Sequence, residues 1–118
     1  VKIIDRISNP YKILYQSDVF ILSSKFEGLP NVLLEAAALK KFIISTKCPT
    51  GPKEILLNGR GGLFFKIGDY KDLSNKILFY HNNKKKLIQK TLTAFKNLRK
   101  YNFKNNLKRY HSEIIEFL

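Results

Sequence analysis

Cysteine is nearly absent from this sequence. The lone Cys48 excludes an internal disulfide and a cysteine metal cluster, and it fits a reducing cytosol. The two histidines, His81 and His111, have no cysteine or second histidine at metal-ligand spacing, so surface or capping roles suit them better than metal binding. No apolar run approaches the ~20 residues that span a bilayer. No signal-peptide pattern opens the chain, because Asp5 and Arg6 interrupt its first apolar residues. The Gly-x-Gly-x-x-Gly pattern is missing, which argues against dinucleotide binding of the usual kind. The P-loop pattern is missing too. Ser23 and Ser24 lack the Gly-x-Ser-x-Gly setting of a nucleophile elbow.

Acidic residues are scarce: nine Asp and Glu stand against 22 Lys and Arg, for a net charge of +13. The imbalance is uneven, with +4 over residues 1–60 and +9 over residues 61–118. Two readings fit a basic half of this kind. It faces an anionic partner, such as nucleic acid, phospholipid headgroups or a phosphorylated substrate, or it is a solvated lysine face.

What is present is globular. Of 118 residues, 44% are hydrophobic, with nine Phe and six Tyr, and the length suits one domain with a real core. Residues 1–4 form a short apolar-rich run with strand character. In the turn that follows, Asn9 is a good N-cap and Pro10 suits a first helical position, ahead of a short helix carrying Tyr11, Leu14 and Tyr15. Residues 18–22 and 42–46 read as buried strands from their continuous apolar, β-branched and aromatic runs. Between them, a helix is expected over 32–39 with Asn31 as its cap. Pro52 opens a short helix over 53–57 that stops at Asn58 and Gly59, and a further strand is expected over 63–65. The run Gly59, Arg60, Gly61, Gly62 fits a helix stop and strand entry better than a phosphate cradle. Asp69 caps a helix over 70–80 whose apolar side is Leu73, Ile77, Leu78 and Phe79. A longer amphipathic helix is expected over 83–101, and a last one carries Phe103, Leu107, Tyr110, Ile114 and Phe117.

Strands alternating with helices predict an α/β fold, a mostly parallel sheet with helices on both faces. Ligands of such sheets sit beyond the carboxyl ends of the strands. The loops 5–10, 23–31 and 47–52 leave strands at that edge, and one site built from all three is expected. The second loop is the richest. A strand feeds into Ser23, Ser24, Lys25, Phe26, Glu27, Gly28, Leu29 and Pro30, and a helix follows. Backbone N–H groups at a helix start hold anions. Glu27 in the loop and Glu35 in the helix lie eight positions apart and can face one ligand. A carboxylate accepts two hydrogen bonds, as a vicinal diol such as a ribose requires, and it can stabilise positive charge at an anomeric carbon. Gly28 lets backbone approach that ligand closely. In the basic helices over 83–109, Phe95, Tyr101, Phe103 and Tyr110 either pack inward or belong to a membrane-surface or partner helix; their place on the apolar stripe favours packing.

The stretch Ser24-Lys25-Phe26-Glu27-Gly28-Leu29-Pro30-Asn31-Val32-Leu33-Leu34-Glu35-Ala36 resembles the retaining glycosyltransferases of family 4, which have the GT-B fold and a Glu-x7-Glu signature. The similarity extends from residue 1 to about residue 80, through Asn9-Pro10-Tyr11, Cys48-Pro49-Thr50-Gly51-Pro52-Lys53-Glu54 and Gly61-Gly62-Leu63. The family often has Gly where Asp5 stands and a Gly-x-Pro near Lys40, Lys41 and Phe42.

The resemblance implies a Rossmann-like sheet, the C-terminal half of a GT-B fold, over residues 1–82, with basic amphipathic helices over 83–118 packing on it. It implies transfer of a sugar, with retention, from a nucleoside-diphosphate sugar such as a UDP-sugar, in cell-surface glycan synthesis. Glu27 would take the catalytic place against the donor sugar. Gly28, Leu29, Pro30 and Asn31 would hold sugar and diphosphate, with Pro30, which has no N–H, only shaping the loop. Glu35 would hold the ribose, and Arg6, Ile7 and Ser8 would lie near the nucleobase. No metal or other cofactor is implied. The acceptor, a glycan or lipid-linked sugar, would be bound by an N-terminal domain outside these residues. The length and the absence of methionine fit the donor-binding piece of a longer enzyme, inactive alone. The expected place is the cytoplasm, peripheral on the inner membrane face through the basic helices, with no nucleic acid partner. The competing reading is a non-catalytic basic module that binds anionic membrane or nucleic acid.

Overall fold

A computed structural model describes residues 1–101. Three strands, β1 (Val19–Leu22), β2 (Phe42–Thr46) and β3 (Leu63–Phe65), form one parallel sheet in chain order. The register pairs Ile21 with Ile44 and Thr46 with Phe65. Helices fill the connections: α1 (Tyr11–Gln16) precedes β1, α2 (Asn31–Ala38) joins β1 to β2, and α3 (Pro52–Ile55) lies between β2 and β3. Then α4 (Tyr70–Asn82) and α5 (Lys84–Asn97) follow β3. This is the expected α/β, Rossmann-like arrangement.

The alternation of side chains along β2 sorts the core. All five residues of this central strand are buried. Ile43 faces a cluster with Leu33, Leu34, Ile55 and Leu56, while Phe42 and Ile44 face a second cluster with Phe65 and Leu87. Helix α5 serves both, through Leu87 on one side and Ala94 on the other, and Leu98, just past its end, joins Ala94 in the first cluster. Ala36 and Ala37 are fully buried and let α2 lie close to its neighbours.

Several expectations are corrected. Residues 1–4 form no strand: among the described residues they pair with no strand of the sheet, and Val1 and Ile3 are exposed. Among the described residues, β1 is therefore an edge strand rather than a buried one, and Ile21 is 37% exposed. Asn31 does not cap α2; it is the first helical residue, and Pro30, extended at φ −74° and ψ 105°, sets the entry with no side-chain cap. Helix α3 ends at Ile55 and passes into a 3-10 turn over Leu57–Gly59, where Leu57, Asn58 and Gly59 all have positive φ. On α4, Leu73 and Tyr80 pack inward, but Leu78 and Phe79 are exposed, since successive residues turn about 100° and cannot share one narrow face. Asp69 does cap this helix, accepting from the Asp72 N–H at 3.0 Å. The expected helix over 83–101 becomes α5 and a 3-10 turn, Leu98–Tyr101. Phe95 and Tyr101 pack against the first cluster, and Lys40 Nζ lies 4.7 Å from the centroid of the Phe95 ring. Phe103, Leu107, Tyr110, His111, Ile114 and Phe117 lie outside the described residues.

Candidate functional site

In a parallel sheet, the loops that leave β1 and β2 emerge at the same edge. Here they are bonded into one unit. The Thr46 hydroxyl donates to the Ser24 carbonyl at 2.5 Å, and the buried Cys48 thiol reaches the same carbonyl at 3.2 Å. The Thr50 hydroxyl donates to the Glu27 carbonyl at 2.9 Å. Gly51 presses against this loop so closely that a Cβ on it would stand 2.1 Å from the Gly28 carbonyl oxygen. Its φ of +71° is one that L side chains rarely adopt, so glycine is required twice over.

Between the two loops lies an open cleft of about 360 Å³, lined by Phe26, Glu27, Gly28, Pro49 and Thr50. Glu27 is half-buried, and its carboxylate accepts a 2.6 Å bond from Ser24 Oγ. Beside Gly28 there is open space: no described atom lies within 4 Å of where a Cβ would be. Among the described residues, the backbone N–H groups of Gly28, Leu29, Asn31 and Val32 donate to no backbone carbonyl. Missing the side-chain cap, the start of α2, three residues past the Gly28 wall of the cleft, thus keeps orphan donors and the positive end of its dipole. A ligand with negative charge and hydroxyl groups suits this lining.

Glu35 lies on the next turn of α2, half-buried. The Tyr11 hydroxyl donates to its Oε1 at 3.2 Å. Tyr11 opens α1, and its N–H is held by the Asn9 side chain at 2.9 Å, so the Asn9 turn is tied to Glu35. Arg6, Ile7 and Ser8 lie in the exposed segment just before that turn.

The structure therefore brings Glu27 and Gly28 together at the cleft. It places Pro30 under the loop, buried against Gly51, while Leu29 and Asn31 are exposed beside the start of α2. The site expected from three strand-end loops is built from two, because residues 1–4 are not a strand. Reasoning from sequence missed Ser24, Thr50 and Tyr11 as partners of the two glutamates. Ser24 carried a local signal, a hydroxyl three residues before a carboxylate in a loop. Thr50 and Tyr11 carried none, being 23 and 24 residues from their partners. Among the described residues, no three His, Cys, Asp or Glu side chains group as a metal site would require.

Known proteins share both sequence and fold with this chain. The family model described as Glycosyl transferases group 1 matches residues 1–83. An uncharacterized glycosyltransferase of Methanocaldococcus jannaschii, MJ1059, is 54% identical over 48 residues, covering 41% of this chain and 12% of that protein. The capsular polysaccharide biosynthesis glycosyltransferase CapM of Staphylococcus aureus is 34% identical over 77 residues, covering 65% of this chain and 20% of CapM. Among solved structures, TarM superposes with a TM-score of 0.69 at 19% identity, over 93% of this chain and 22% of TarM. Anabaena Alr3699/HepE, solved in complex with UDP, superposes with a TM-score of 0.70 at 18% identity, over 90% of this chain and 29% of its own. The matched part is thus a fifth or less of these two curated relatives. With the family model covering well over half of its 118 residues, the chain belongs to the group 1 glycosyl transferases.

Proposed function

We propose that this chain is the donor-binding part of a retaining, family 4-type glycosyltransferase with the Glu-x7-Glu motif. It takes a nucleoside-diphosphate sugar, a UDP-sugar, and the sugar passes to a glycan or lipid-linked acceptor. One observation carries the reading. The 23–31 loop and the 47–51 loop lock together so that a carboxylate, Glu27, lines a cleft beside orphan N–H donors at the start of α2. In this reading the diphosphate lies at those N–H groups, where the helix dipole offsets the charge that builds as the bond to the anomeric carbon breaks. Gly28, Leu29 and Asn31 supply the donors, and Pro30 shapes the loop. Glu27 stabilises positive charge on the sugar. Glu35, braced by Tyr11, accepts from the ribose hydroxyls, and the Arg6, Ile7 and Ser8 turn sits towards the base. No metal is needed for these steps.

The relatives support the acceptor class. Their names include capsular polysaccharide biosynthesis, lipopolysaccharide core biosynthesis and a diphospho-undecaprenol N-acetylgalactosaminyltransferase. The acceptor is bound by a separate domain outside this chain, and this chain alone binds donor without transferring sugar. The test is Glu35→Ala. Losing a charged acceptor of two hydroxyl groups weakens UDP binding by roughly tenfold or more, measured by calorimetry. Unchanged affinity contradicts the ribose role.

The basic helices add a second contact, an anionic membrane on the cytoplasmic side. No helix among the described residues is long and apolar enough to cross a membrane. Lys84, Lys85 and Lys86 stand exposed at the start of α5, and Leu78 and Phe79 are exposed on α4 just before it. Lysines beside exposed apolar groups suit a surface of anionic lipid. Vesicles with anionic lipid should co-sediment the protein, and replacing the three lysines by glutamate should abolish this. Binding to an oligonucleotide instead would favour the non-catalytic basic module, a reading that the family match does not favour.

A further inference from the structure

We propose that Ser24 and Thr50 are positioning residues that fix the direction of the Glu27 carboxylate. The inference rests on the reading that Glu27 lies against the donor sugar. Glu27 is held at both of its ends, and by both loops. Ser24 Oγ donates to its Oε1 at 2.6 Å, a short bond of the kind that charge strengthens. Thr50 Oγ1 donates to its carbonyl oxygen at 2.9 Å from the other loop. Ser24 is itself held. Its carbonyl accepts from the Thr46 hydroxyl and from the Cys48 thiol, which also reaches the Lys25 carbonyl at 3.6 Å. The anchor runs from the buried end of β2 to one carboxylate oxygen.

A serine in a turn commonly bonds neighbouring backbone and serves the turn alone. Ser24 spends its hydroxyl on a side chain instead. The bond occupies Oε1 only, and among the described residues none donates to Oε2. One oxygen is therefore tethered to the protein and the other is left for a ligand in the cleft. A carboxylate on a bare loop would lose rotamer freedom each time it met the sugar, and here most of that loss is settled on folding. The two roles within the site also separate. Ser24 and Thr50 act at the Glu27 end, while Tyr11 braces Glu35.

The experiment compares Ser24→Ala, Ser24→Thr, Thr50→Val and Glu27→Gln in the full-length polypeptide, with kcat and KM for the donor sugar and, separately, calorimetric affinity for UDP, which lacks the sugar. Ser24→Ala is expected to lower kcat about tenfold or more and to leave UDP affinity within about twofold. Ser24→Thr, which keeps the hydroxyl, should recover most of the rate, and Thr50→Val should lower kcat by a smaller factor. If Glu27→Gln is impaired while Ser24→Ala turns over like the wild type, the positioning role is overturned and the reading of Glu27 survives. If Ser24→Ala and Ser24→Thr lose rate and UDP affinity together, Ser24 merely holds the loop and the proposal fails. A wild-type rate for Glu27→Gln removes the reading of Glu27 itself, and the positioning role with it.

Discussion

Glu27→Gln is expected to lower kcat by roughly 10²–10³-fold while leaving folding intact. The substitution keeps the shape of the side chain and removes its charge. Glu27 is half-buried at the wall of the cleft, and its carboxylate is bonded to Ser24. An amide oxygen can still accept that bond, so the loop should hold. On the proposed reading, what disappears is a negative charge near the centre that becomes positive in the transition state. At the half-buried position of Glu27 a charge of this kind is worth more than it is in bulk water. The loss should fall on kcat rather than on donor KM, because the charge on the sugar develops only as the bond breaks. The measurement is steady-state kinetics with the full-length polypeptide, alongside its circular dichroism.

Gly51→Ala should be the more damaging change to the fold of the site. Its Cβ would meet the Gly28 carbonyl oxygen at 2.1 Å and Pro30 Cδ at 2.9 Å, with φ at +71°. The first obstacle is backbone, so neither rotation nor a small shift relieves it. Positive φ and overpacking together cost about 2–4 kcal/mol, visible as a lower denaturation midpoint. Gly28→Ala is the contrast. No described atom lies within 4 Å of its Cβ, so stability should move by no more than about 0.5 kcal/mol. It should still weaken donor binding, since the methyl group enters the space beside the cleft. Equal stability losses from the two alanines would contradict the close packing of the two loops.

Much of the fold was readable from local pattern. The run Phe42, Ile43, Ile44 marked a strand buried on both sides, and β2 is the central strand. Asp69 announced the start of α4, and its bond to Asp72 is local. Glu27 and Gly28 could be placed because a strand, a breaker-rich loop and a helix within about twenty residues leave little freedom. Errors came where the outcome depends on distant surface. Residues 1–4 have strand composition, yet among the described residues they pair with no strand and stay exposed. The same absence turned β1 from an expected buried strand into an edge. Leu78 and Phe79 looked like core and are exposed, because inward room at α4 is taken by Leu73 and Tyr80. The bonds of Thr50 to Glu27 and of Tyr11 to Glu35 join loops and helices far apart in sequence, and no spacing rule foretells them.

The central claim is that the start of α2, with Glu27 and Glu35 on either side, forms the wall of a nucleotide-sugar pocket. Titration of the isotope-labelled protein with UDP, followed by amide NMR, tests it most directly. Saturable shifts are expected at residues 27–35 and in the loop 48–51 bonded to them, with the amides of α4 and α5 unmoved. Shifts confined to Lys84, Lys85 and Lys86, or no shift at Gly28, Asn31 and Glu35 at saturating nucleotide, would contradict it.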